Sequence, residues 1–167
     1  MTVPTYYTND PALDLVIERT IADRPELVWR AWTEPALIKQ WFTPRPWETV
    51  ACEIDLRPGG RFTIQMRSPE GEDIPVNTGC ILEAIPNERL AWTGALEPGF
   101  RPQSAQFGPD VPLFTALITM EPDGAGTRYR AIVMHRDAEG ASTHEAMGFF
   151  DSWGTAVDQL VELVSSM

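Results

Sequence analysis

The sequence predicts an α+β fold: a mainly antiparallel sheet of about seven strands with helices packed on one face. Three observations carry this reading. The last stretch, Ser142 to Met167, places Met147, Phe150, Trp153, Val157, Leu160 and Val164 at steps of three and four, the spacing of one helix face. Upstream, short runs alternate apolar and polar residues and are separated by turn residues, the signature of strands joined as neighbours. Two short helical segments interrupt this pattern once, after the first strand.

Taken in order, residues 1–13 read as an arm that Tyr6 and Tyr7 could pin down, and residues 14–167 as a single domain. Asp14 to Ala22 alternates with Leu15, Ile17, Arg19 and Ile21 on one side, which predicts the first strand. Asp23 with Glu26 forms a capping-box pattern, and Pro25 suits a first helical turn. Leu27, Val28, Ala31 and Trp32 then give one short helix. A second begins at Thr33-Glu34-Pro35, carries Leu37, Ile38, Trp41 and Phe42, and is ended by Pro44 and Pro46. Val50 to Leu56 and Phe62 to Met66 alternate on either side of Pro58-Gly59-Gly60, a hairpin. Further strands are expected over Ile74–Ala84, Arg89–Ala95, Phe114–Glu121 and Thr127–Arg136. The final helix is expected to start with a Ser142/Glu145 capping box and run unbroken for ~34 Å, with Asp151, Thr155, Asp158, Gln159 and Glu162 facing water. Glu97 to Pro112, rich in proline and holding Phe100 and Phe107, is the one long irregular segment, either a binding loop or a surface insertion.

Composition narrows the function. The chain has 167 residues, an apolar fraction of 43% and six tryptophans, enough for a sizeable core. A net charge of −11 disfavours nucleic acid and anionic membrane surfaces as partners. Cys52 and Cys80 lack metal-like spacing and read as reduced, buried thiols. No basic-then-apolar leader opens the chain and no apolar run is long enough to cross a bilayer, so a cytoplasmic location without membrane insertion is expected. No Gly-x-Ser-x-Gly or phosphate-binding loop is present, which removes the basis for hydrolase or nucleotide-binding readings.

Five pieces of the chain carry a family resemblance. They are Ile21–Trp32; Thr33-Glu34-Pro35 with Gln40-Trp41-Phe42; Asp55-Leu56-Arg57-Pro58-Gly59-Gly60-Arg61-Phe62; Gly79 with Glu83-Ala84-Ile85-Pro86-Asn87-Glu88-Arg89-Leu90 and Thr93; and Met147-Gly148-Phe149 with Trp153. Together they resemble the activator of heat-shock-protein-90 ATPase homologue-like family, within the START-like, SRPBCC superfamily. The resemblance implies a helix-grip fold, in which a curved antiparallel sheet wraps around the long C-terminal helix and leaves a cavity for hydrophobic small molecules. It does not imply one reaction, since this fold hosts binding proteins and enzymes alike.

Candidate site residues follow. Trp41, Phe62, Trp92, Phe114, Tyr129, Met147, Phe150 and Trp153, with Met134, offer the aromatic and thioether surface that suits an apolar ligand, or else simply fill the core. Gly148 and Gly154 inside the last helix suggest room beside it. Tyr129, Ala131, Val133 and His135 share one side of the final strand, opposite Arg128, Arg130 and Arg136. His135 is therefore an inward-facing histidine, either a proton-transfer residue or a rim residue bonded to backbone. His144 is expected to be exposed, Glu53 and Arg61 to be solvated, and no metal site or cofactor is expected. The preferred function is binding of a hydrophobic or aromatic small molecule in an internal cavity. The alternatives are a cyclase, dehydratase or isomerase using His135, and a co-chaperone-like interaction module. Exposed aromatics in the arm and insertion allow a homodimer.

Overall fold

The structure is a computed structural model that describes residue 4 and residues 6–104 and 112–167. Phe107 and the middle of the irregular segment lie outside the described residues. The elements run β1 (Asp14–Ile21), α1 (Pro25–Thr33), α2 (Pro35–Trp41), β2 (Glu48–Ile54), β3 (Arg61–Arg67), β4 (Asn77–Ile85), β5 (Arg89–Thr93), β6 (Leu96–Glu97), β7 (Arg101–Pro102), β8 (Phe114–Asp123), β9 (Gly126–His135), α3 (Ala138–Ala146) and α4 (Phe149–Ser165).

Seven strands form one antiparallel sheet in the order β1-β9-β8-β5-β4-β3-β2, and β6 and β7 form a separate small hairpin. The first two strands therefore lie at opposite edges. The chain crosses between those edges through α1 and α2, on the face that α4 also covers. Register shifts between Thr49 and Ala51 and between Ile81 and Glu83 insert bulges, which sharpen twist and help the sheet curl around the helices. The result is an α+β helix-grip architecture.

Alternation places the core where the pattern predicts. Ile17, Ile21, Phe62, Ile64, Tyr129, Ala131 and Val133 are buried on the concave side with Val157, Leu160 and Val164 of α4. Arg128 of β9 stands in water on the other side. The outer face also holds a smaller apolar cluster of Ala91, Leu117 and Ile132, against which Tyr7 of the arm packs. Tyr7 is held by a 3.1 Å hydrogen bond to Asp14, and Tyr6 donates to Glu83.

The turn between β2 and β3 uses its second glycine for close approach. A Cβ on Gly60 would stand 2.0 Å from the Asp55 carbonyl oxygen. The same loop is pinned to β4 by two backbone bonds, Gly59 N–H to the Ile81 carbonyl at 2.7 Å and Ile81 N–H to the Gly60 carbonyl at 2.8 Å.

Four local expectations are corrected. First, α1 is not capped by Asp23; its N-cap is Arg24, without a side-chain bond, while the Asp23 carbonyl accepts from Thr127 at 2.7 Å. Second, the terminal helix is broken. Gly148 sits at φ 92, a left-handed conformation open to glycine, and divides the stretch into α3 and α4. The start of α3 is capped by Asp137, which accepts from Gly140 N–H at 2.8 Å, so Ser142 and Glu145 lie inside a helix rather than at its start. The 17 residues of α4 span ~26 Å rather than ~34 Å. Third, this break turns Met147 and Phe150 outward, to 59% and 46% exposure. Fourth, Gln159 is buried, not solvated.

Candidate functional site

A cavity of about 1140 Å³ separates the concave sheet face from α4 and the α1–α2 pair. Its walls follow from the elements. Trp32 of α1 and Trp41 at the end of α2 form one side, and Phe62 of β3, Trp92 of β5 and Phe114 of β8 form the sheet side. Trp153, Ala156 and Val157 of α4 face them. The rings form a connected surface. Trp32 meets Trp41 edge-on at 4.8 Å, Phe62 stacks on Trp92 at 4.9 Å and 8°, and Phe114 bridges Trp92 and Trp153 at 5.6 and 5.8 Å. Polar and charged groups, among them Arg61, Asn77, Glu97, Gln103 and Ser104, also line the cavity. The small β6–β7 hairpin thus contributes to its boundary.

The wall is braced by a residue that pattern reading misassigned. The Gln159 side chain, 6% exposed, donates from Nε2 to the carbonyls of Trp41 and Thr43, both at 2.9 Å, and its Oε1 accepts from Arg45 N–H at 2.9 Å. One amide therefore ties α4 to the end of α2 and the segment that follows it. Trp41 is further fixed by its indole N–H, which donates to the Ala31 carbonyl at 2.8 Å.

Of the sequence-predicted site residues, Trp41, Phe62, Trp92, Phe114, Tyr129 and Trp153 line this cavity. Met147 and Phe150 do not, because the bend at Gly148 rotates them away. Trp32 was placed in α1 by its periodicity, but the wall role of α1 needed its tertiary position. Gly154 is buried in α4, but a Cβ there would meet only the tip of the Arg19 side chain, Nη2 at 3.4 Å, an ordinary contact, so close approach of the helix does not demand glycine at this position.

His135 is buried at 7% exposure and lies beside the cavity wall rather than in it. Its Nδ1 is 2.8 Å from the Leu13 carbonyl, and its Nε2 is 2.8 Å from His144 Nδ1. A carbonyl only accepts, so His135 Nδ1 carries a proton. With His135 neutral, its Nε2 is then an acceptor and His144 Nδ1 donates. His144, expected to be exposed, is instead half-buried in α3, stacked on Phe114 at 5.1 Å and edge-on to Phe149 at 5.0 Å. The pair thus joins the end of β9, the residue preceding β1, α3 and a cavity-wall ring.

Burial, and secondarily the repulsion that a protonated His135 would exert, lowers the His144 pKa to about 4. The sign of the consequence follows. Between that value and ~6.5, the unfolded chain binds more protons at this site than the folded one, so stability falls as pH drops through this window. Thermal melts from pH 7 to pH 4 should show a loss which, discounted for the ring's exposure, is on the order of 1–2 kcal/mol, and His144→Phe should flatten that slope. An equally steep slope in the variant would assign the pH dependence to other groups.

A curled antiparallel sheet gripping a C-terminal helix defines the helix-grip, START-like class. Residues 23–165 match the family model described as activator of Hsp90 ATPase homolog 1-like protein, and the chain belongs to this family. Among solved structures, protein NE0264 from Nitrosomonas europaea is 44% identical, with a TM-score of 0.86 over 95% of this chain and 97% of that one. A Rhodobacter sphaeroides protein shares the fold at 22% identity and a TM-score of 0.78, covering 96% of this chain and 97% of its own. An AHSA1-like protein from Aeromonas hydrophila does so at 21% and 0.67, over 92% of this chain and 93% of its own. No curated protein matches the chain. No helix among the described residues is long and apolar enough to cross a membrane.

Proposed function

We propose that this protein binds a hydrophobic or aromatic small molecule in the cavity between its sheet and α4. The observation that carries the proposal is the cavity itself: about 1140 Å³, with a wall of tryptophan and phenylalanine. That volume stands just above the ~300–1,000 Å³ of ordinary ligand sites. Interiors otherwise pack to the density of organic crystals, so a space of this size beside an aromatic surface calls for an occupant. A net charge of −11 supports a small molecule over nucleic acid or an anionic membrane. The free thiols of Cys52 and Cys80 suit a reducing, cytoplasmic setting.

Proton transfer by His135 would require release of a ring nitrogen from Leu13 or His144 and passage around Phe114. Binding without reaction needs no such rearrangement, and we favour it.

The test is mass spectrometry of protein purified under native conditions. We expect a small apolar molecule to accompany the chain near one-to-one and to be lost on denaturation. A ligand-free spectrum, together with no saturable uptake of an added hydrophobic dye, would overturn the proposal.

A further inference from the structure

The histidine pair at the end of the sheet has room for one extra proton and not for two. With both rings neutral, His135 donates from Nδ1 to the Leu13 carbonyl and accepts at Nε2 from His144 Nδ1, each contact 2.8 Å. One added proton fits without breaking either bond. It rests on His135, whose two nitrogens then both donate, while His144 carries its own hydrogen on Nε2 and accepts at Nδ1. A second proton sets donor against donor and cation against cation across the same 2.8 Å. The acids around the rings are engaged elsewhere or exposed. Asp14, beside Leu13, takes hydrogen bonds from Tyr7 and the Asp10 N–H. Asp137 accepts from Gly140 N–H at 2.8 Å and pairs with Arg136 at 3.3 Å. Arg136, Glu139, Glu145 and Asp151 are exposed, and β8 and α4 present the rings of Phe114 and Phe149.

We propose that this pair is an acid-released latch: the second proton detaches α3 from the end of the sheet, with Gly148 as the joint, and uncovers the Phe114 end of the cavity. Little else holds α3. Ala141 is the one residue it buries, whereas α4 buries seven. His144 supplies the rest of the grip, stacked on Phe114 at 5.1 Å and edge-on to Phe149 at 5.0 Å. The link to α4 runs through Gly148, at φ 92 with nothing within 4 Å of where a Cβ would stand, so the joint meets no side-chain obstacle. A segment with so few buried contacts opens without the core unfolding. The latch goes beyond the binding reading and does not need it, since the moving part is a helix and no ligand takes part.

The test is hydrogen exchange on the full, ligand-free chain at pH 7 and pH 4, with protection corrected for the pH dependence of the exchange chemistry. We expect the α3 amides to lose about tenfold in protection in acid, with exchange that stays insensitive to low urea, the mark of a local opening. The amides of α4 and β9 should stay protected. His144→Phe keeps a ring on Phe114 and removes the titrating nitrogens, so its α3 protection should not change with pH. A loss in α3 that only matches the loss in α4, with equal urea dependence, means global unfolding and overturns the latch. So does no loss in α3, or an equal loss in His144→Phe. Ring-nitrogen spectra of the wild-type chain decide if the variant does not fold: the α3 loss should follow protonation of the His144 ring, and a loss that follows any other group overturns the proposal. Failure of the latch leaves the binding reading untouched, because ligand mass spectrometry tests that separately.

Discussion

Gln159→Ala should lower the free energy of unfolding by about 3 kcal/mol. The substitution leaves the carbonyls of Trp41 and Thr43 and the N–H of Arg45 without the partner that now serves all three. Each buried backbone group left unpaired costs roughly 1–3 kcal/mol, and water admitted to the space returns part of that. The exposed ion pair between Arg45 and Glu162 at 2.9 Å spans the same two segments, but surface pairs contribute little and will not compensate. Urea denaturation measures the change directly. A thermal midpoint lower by ~6–12 °C should accompany it in a chain of this size. The wall should loosen with it, because Gln159 fixes the end of the helix that carries Trp41. A loss under ~1 kcal/mol would mean that the amide is not a brace.

The second large effect concerns the cavity. Ala156→Trp places a bulky ring on the α4 face that fronts the void. Overpacking a filled core is destabilising by roughly 1–3 kcal/mol, but a side chain that enters an existing cavity avoids most of that strain. We expect a stability change below ~1 kcal/mol, and binding of a hydrophobic probe weaker by about a hundredfold, equivalent to ~2.7 kcal/mol. Unchanged affinity would place the binding surface elsewhere.

The pattern of these residues explains what was legible in the chain. In β9 the alternation sets Arg128 and Arg130 opposite Tyr129 and Val133, and in β3 it sets Arg61 opposite Phe62, so these three core residues declared their side without any structure, although the outer face is itself partly dry at Thr63 and Ile132. The apolar spacing of Val157, Leu160 and Val164 did the same for α4. The bend at Gly148 was not legible, because glycine within a helical pattern has two readings, small side chain or left-handed link, and only the surroundings choose between them. Met147 and Phe150 inherited that error. Gln159 was unreadable for another reason. Its partners lie 114 to 118 residues away, and a polar residue beside an apolar stripe looks solvated until those carbonyls are in place. His144 was misjudged likewise, since the β9 residue that accepts its proton reaches it only after α3 folds back over the sheet's end.

The chain's own tryptophans provide the most direct test of ligand occupancy. Trp32, Trp41, Trp92 and Trp153 line the cavity, whereas Trp29 and Trp47 do not. Proton–nitrogen correlation spectra of the six indoles, recorded while a hydrophobic ligand is titrated in, separate the two groups. If the ligand sits between sheet and α4, the first four signals shift saturably and the other two stay in place. Saturable shifts confined to Trp29 or Trp47, with the four wall signals unmoved, would contradict the account.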